Sequence, residues 1–294
     1  MLSRRNVITL VAGALLTGPA IAQTAPKVKV VATFSILADL ARQVGGDRVE
    51  VDMLVGPNGD AHVYQPSPAD AKKIADAKLL IRNGLGLEGW FERFIAATGA
   101  KPRIVIAGQH VKAFSEGRGK FDPHAWQDIA NVRAYVADIR DGLIAADPDG
   151  KAAYEAGATA YLGQLATLEA DVKAAIASIP AERRRIITTH DAFGYFGRAY
   201  GMTFIAPKGV STESEATAKD VAAIIRQIKA QKIPAIFLEN ISDDRLMQRI
   251  AKESGAKVGG KLYSDALSEP TGPAGTYIDM MRNNIREFTA ALRP

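Results

Sequence analysis

The amino-acid sequence predicts an α/β protein of two βα-repeat domains, each a central sheet flanked by helices, joined by one long connecting helix. Three observations predict it. Strand-like and helix-like segments alternate on either side of the middle of the chain, the signature of βα units. Between the two runs, Lys151 to Ile179 shows no strong turn signal and places apolar residues three and four apart, the spacing of an amphipathic helix. The chain's 294 residues are too many for one modest core, at about 150 residues per domain.

Taken in order, Met1 to Gln23 has Arg4 and Arg5, an apolar run from Val7 to Leu16 and the small-residue stretch Ala20-Ile21-Ala22. This is the layout of a secretory signal peptide, residues 1–22, cleaved after Ala22. The run is too short to span a bilayer, which needs about 20 apolar residues. Arg4-Arg5 leaves both the general secretory and the twin-arginine routes open.

An N-terminal α/β domain is expected over residues 27–147. Val28–Phe34 is apolar and β-branched, Ile36–Val44 has helical spacing, and Val49–Val55 returns to strand. Ser67-Pro68-Ala69-Asp70 reads as a helix start, because Ser67 can accept an N–H, Pro68 needs no donor and Asp70 suits the positive helix end. Strands follow at Lys78–Arg82 and Ile104–Ala107, with helical Trp90–Ala97 between them. The linker helix, residues 148–181, is punctuated by Pro148-Asp149-Gly150 and Pro180. The C-terminal domain, residues 182–294, repeats the alternation. Its strands are Arg185–Thr189, Met202–Ala206, Ala235–Glu239 and Lys257–Tyr263, and its helices Ala192–Tyr200, Ala218–Gln231, Arg245–Ser254 and Tyr277–Leu292.

Removing Arg4 and Arg5 with the leader lowers the formal charge from +5 to +3, too little and too scattered for a nucleic-acid-binding face. With no cysteine, disulfides and thiolate metal ligation are excluded, so any metal must be held by imidazole, carboxylate or carbonyl.

Of the four histidines, three fall where a strand gives way to a loop or helix, the place where open α/β sheets bind ligands. His62 follows the second strand in Gly59-Asp60-Ala61-His62. His124 lies past the fourth in Asp122-Pro123-His124-Ala125-Trp126. His190 ends the first strand of the second half in His190-Asp191-Ala192-Phe193. A lone loop histidine is more often solvated than ligating, but three at strand ends point to a metal. His110 reads as structural or exposed. Asp60 and Asp122 can orient imidazoles through the other ring nitrogen, or serve as turn carboxylates.

These motifs, followed by Val210-Ser211-Thr212-Glu213-Ser214-Glu215, Phe237-Leu238-Glu239-Asn240 and Gly275-Thr276-Tyr277-Ile278-Asp279-Met280-Met281, are similar to those of the zinc and manganese substrate-binding proteins of ABC importers. The resemblance covers essentially the whole mature chain. It implies metal ligands at His62, His124 and His190, and a fourth at Asp265, which also follows a strand. The site then takes two ligands from each half and lies in the interdomain cleft. Three neutral imidazoles and one carboxylate leave a dication with a local charge of about +1, tolerable in a buried place.

Three nitrogens and a carboxylate suit Zn2+, with Mn2+ as the alternative cargo. The stretch Val111 to Phe121 lacks the histidine-rich loop frequent among zinc importers, which weakens that preference. The resemblance implies a monomeric periplasmic carrier with no enzymatic activity and no membrane insertion after leader removal, delivering metal to the permease of an ABC importer. A three-histidine zinc hydrolase, with Glu213, Glu215 or Glu239 as base, is the rival, and a metal-binding adhesin a second.

Overall fold

A computed structural model describes residues 26–117 and 119–293; the leader read in residues 1–22 lies outside them. In the first half, β1 (Val28–Phe34), β2 (Val49–Val55), β3 (Leu79–Arg82) and β4 (Arg103–Ile106) form a parallel sheet in the order β2-β1-β3-β4. Leu79, Leu80 and Ile81 are all buried, as expected of a strand covered on both faces. The covering helices are α1 (Ser35–Gly45), α2 (Pro68–Asp76), α3 (Phe91–Thr98) and α4 (Ile129–Ala146). α2 begins as its sequence implies: Ser67 Oγ accepts the Asp70 N–H, the Asp70 carboxylate accepts the Ser67 N–H at 2.8 Å, and Pro68 follows.

Two elements were not expected. α4 starts where the Asp128 carboxylate accepts the Ala130 N–H, and it buries Ile129, Val132, Tyr135, Val136, Ile139 and Leu143. A short antiparallel hairpin, β5 (Ser115–Gly117) and β6 (Lys120–Phe121), precedes His124. The expected strands and helices otherwise recur with ends displaced by a residue or two, the usual uncertainty of element ends.

The connecting helix α5 (Lys151–Ala177) has 27 residues, a length of about 40 Å. Tyr154, Ala158, Tyr161, Leu165, Leu168, Val172 and Ile176 form its buried stripe. The second sheet comprises β7 (Arg185–Ile187), β8 (Thr203–Ile205), β9 (Ala235–Glu239) and β10 (Lys257–Leu262) in the order β10-β9-β7-β8, again parallel. Ranked by sequence within each half, both sheets run second, first, third, fourth. The second is flanked by α6 (Gly194–Tyr200), α7 (Ala218–Gln231), α8 (Arg245–Ser254) and α9 (Tyr277–Leu292).

α5 packs on α1 and α4 of the first half and on α9 of the second, so one apolar cluster runs from the first sheet to Met281 and Phe288. Polar ties add to it: the Tyr277 N–H donates to Asp39 at 2.8 Å and its hydroxyl to the Trp126 carbonyl at 2.7 Å. The strand ends of both sheets thus face each other across a cleft whose walls are joined at their base.

Candidate metal centre

Four donor atoms converge in that cleft. His62, His124, His190 and Asp265 each offer one, and all lie within 4.8 Å of one another. The three ring Nε2 atoms and Asp265 Oδ2 are the converging set. Nε2 of His124 is 3.3 Å from that of His62 and 3.4 Å from that of His190. Asp265 Oδ2 is 3.1 Å from His190, 3.3 Å from His62 and 3.6 Å from His124. In a tetrahedral site, the edge is about 1.63 times the bond length, so zinc bonds of about 2.0–2.1 Å give edges of about 3.3–3.4 Å. Five of the six donor separations thus bracket the edge of a tetrahedral zinc site, and the sixth, between His62 and His190, is within 4.8 Å. The other Asp265 oxygen, Oδ1, is buried without a partner.

Each donor has its own support. Asp122 Oδ1 accepts the His124 backbone N–H at 2.9 Å and lies 2.7 Å from His124 Nδ1, so Asp122 both shapes the turn and orients the ring. Gly194 lets α6 close on it, since a Cβ there would stand 2.8 Å from Asp122 Oδ2. Glu239, fully buried at the end of β9, receives the Thr189 and His190 N–H groups on Oε1 at 2.7 and 3.1 Å. Its Oε2 lies 2.5 Å from His190 Nδ1 and accepts the Ser264 hydroxyl at 2.9 Å. When neutral, both rings are thereby held with the proton on Nδ1 and the Nε2 lone pair turned into the cage. Asp265 is placed by its neighbour, because the Ser264 carbonyl accepts the Trp126 and Gln127 side-chain N–H groups at 2.9 and 2.8 Å.

Asp60 does not reach the His62 ring. Its Oδ1 accepts the His62 backbone N–H at 2.9 Å and its Oδ2 accepts the Thr212 hydroxyl at 2.6 Å, so it is a turn carboxylate. His110 stands apart, largely exposed, with Nδ1 2.7 Å from Asp138. In the sequence Glu239 is part of a family motif and a possible base, not a named histidine partner; its four bonds, two of them to His190, commit it to that ligand, and Glu215 pairs with Lys208 at 2.8 Å on the surface.

The charges in the metal-free cage favour protons. Burial opposes it, but the Asp265 and Asp122 carboxylates push His124 up to about 9. Burial likewise opposes the rise of His190, which Glu239 and Asp265 nonetheless hold well above the usual imidazole range. An entering cation must displace these protons.

Residues 30–291 match the family described as ZnuA, zinc-uptake complex component A, periplasmic. The chain is 34% identical over 264 residues to the manganese-binding lipoprotein MntA of Halalkalibacterium halodurans, covering 90% of this chain and 88% of that protein. It is 35% identical over 265 residues to the iron-binding protein YfeA of Yersinia pestis, covering 89% and 85%. Among solved structures, the periplasmic zinc-binding protein TroA of Treponema pallidum superposes with a TM-score of 0.88 at 32% identity, over 91% of this chain and 100% of that one.

Proposed function

This chain belongs to the periplasmic zinc-uptake component A family, the substrate-binding proteins of metal ABC importers, and on that premise we propose that it captures Zn2+ between its halves and delivers it to a membrane permease. His62, His124, His190 and Asp265 are the proposed ligands. The observation that supports zinc is that five of the six inter-donor distances run from 3.1 to 3.6 Å, around the tetrahedral edge of about 3.3–3.4 Å. Imidazole-rich ligation points the same way.

Mn2+ or Fe2+ is the second reading, and a specific atom favours it. Asp265 Oδ1 is buried and unpartnered, so the carboxylate can add a fifth bond for a metal that wants more oxygen. Relatives named for manganese and iron support this alternative.

The family is one of transport proteins rather than enzymes. Delivery requires export to the compartment the permease faces, which is the proposed role of residues 1–22. Among the described residues, no helix is long and apolar enough to cross a membrane.

The test is competitive titration of metal-stripped protein with Zn2+ and Mn2+, followed by X-ray absorption. One zinc per chain with four light ligands at about 2.0–2.1 Å, lost in His62→Ala, His124→Ala and His190→Ala and weakened in Asp265→Ala, is the expected result. A triple-alanine variant that still binds stoichiometrically sinks the ligand assignment. Tighter Mn2+ than Zn2+ binding, with five or six longer bonds, would replace zinc by manganese.

A further inference from the structure

The donors of the cage are unequally held. His124, His190 and Asp265 are fixed by fully buried bonds to Asp122, Glu239 and, through Ser264, Trp126 and Gln127. His62 differs: among the described residues, no carboxylate engages its other ring nitrogen. It sits on the loop between β2 and α2, which enters through Asn58 at φ 55, a left-handed conformation uncommon outside glycine. It also lines a pocket of about 430 Å³ between Leu85-Gly86-Leu87 and Val210, Ser211 and Glu213.

Within its own half this arm is held at the neighbouring Ala61 carbonyl, which accepts the Trp90 indole N–H at 2.8 Å; from the other half it is steadied by a relay across the cleft. The Thr212 hydroxyl, 152 residues away in sequence, donates to Asp60 Oδ2 at 2.6 Å. The other oxygen of that carboxylate accepts the His62 backbone N–H at 2.9 Å. Among the described residues, this loop's other backbone and amide ties to the opposite half, Asn58 N–H to the Leu267 carbonyl at 2.9 Å and the Asn240 amide to Asn58 Oδ1 at 3.1 Å, hold the start of the loop rather than the ligand residue. Thr212 lies between Ser211 and Glu213, which line that pocket, and itself faces a neighbouring one with Asp60.

We propose that Thr212 is a positioning residue which, through Asp60, holds His62 in the cage and sets the rate at which metal leaves by the His62 side. This rests on the metal-capture reading above. Thr212 touches no metal; it restrains, from the opposite wall, the one ligand arm whose ring has no carboxylate partner among the described residues. A charge-assisted bond of this kind, partly exposed, corresponds to a change of about three- to tenfold.

The test loads wild type, Thr212→Val and Thr212→Ser with Zn2+, mixes each with excess EDTA and follows zinc release by stopped flow. Hydrogen exchange of the His62 amide is measured in the metal-free proteins. Thr212→Val is expected to keep one zinc per chain, release it about three- to tenfold faster and expose the His62 amide, while Thr212→Ser restores both. In Asp60→Ala, adding Thr212→Val should change nothing further. Equal release from wild type and Thr212→Val, or a serine variant no better than valine, overturns the proposal. If wild type retains no zinc, the capture reading fails, while amide exchange still decides whether the relay exists.

Discussion

Replacing Glu239 by glutamine removes one charge from a carboxylate that receives four hydrogen bonds. Glutamine has a single acceptor oxygen. Seated at the Oε1 position, that oxygen keeps the Thr189 and His190 backbone N–H groups, now 2.7 and 3.1 Å away. The amide NH2 then replaces Oε2, 2.5 Å from His190 Nδ1. A donor there drives the imidazole proton to Nε2 and blocks the lone pair aimed into the cage. Turned the other way, the amide rescues the ring but leaves two buried backbone donors unmet, at about 1–3 kcal/mol each. Either arrangement predicts zinc binding weakened by about 10–100-fold, the usual effect of losing a ligand's outer partner. Chelator competition at pH 7.5 measures the affinity, and imidazole 15N shifts of the zinc-loaded protein report which His190 nitrogen keeps its proton. Affinity within about threefold of wild type, with unaltered His190 shifts, would refute the role assigned to Glu239.

Because the His124 pKa is raised to about 9 from an ordinary 6.5, its protonated form stabilises the metal-free protein fully below pH 6.5, and that contribution is lost as pH rises through about 9. Metal must displace this proton, so zinc affinity is predicted to rise about tenfold per pH unit for each proton displaced; titration calorimetry in buffers of different ionisation enthalpy that finds no proton release at pH 7.5 contradicts it. Trp126→Phe removes one of two donors to the Ser264 carbonyl and is predicted to cost about 1–3 kcal/mol of metal-free stability, read from urea unfolding. An unchanged midpoint would show that the indole N–H does not hold the Asp265 segment.

The α/β alternation was legible because β-branched strands such as Val28–Phe34 and the stripe from Tyr154 to Ile176 are strongly periodic. α4 was not, for a physical reason. It lies between β4, α1 and α5, and its alanines at 134, 137 and 146 are themselves half-buried, so apolar residues spread round the helix and dilute the 3.6-residue signal. The β5–β6 hairpin is too short and polar to announce itself. In the candidate site, the histidines stood out by placement after strands, whereas Asp265 rested on family resemblance. The partners of the ligands divide by distance. Asp122 is two residues from His124 and could be nominated from sequence, but Glu239 is 49 residues from His190, and only the pairing of β7 with β9 brings the two together.

The division of donors, two on each wall of the cleft, has a mechanical consequence on the proposed reading. Bond lengths to the ion tolerate only about 0.2 Å, and each wall alone offers only two of the four donors. The molecule then acts as a strain gauge: any docking partner that spreads the walls by about an ångström exceeds that tolerance and turns displacement directly into discharge. The long helix, anchored in both halves, would make such spreading elastic, so the emptied carrier springs back to the geometry in which it loads.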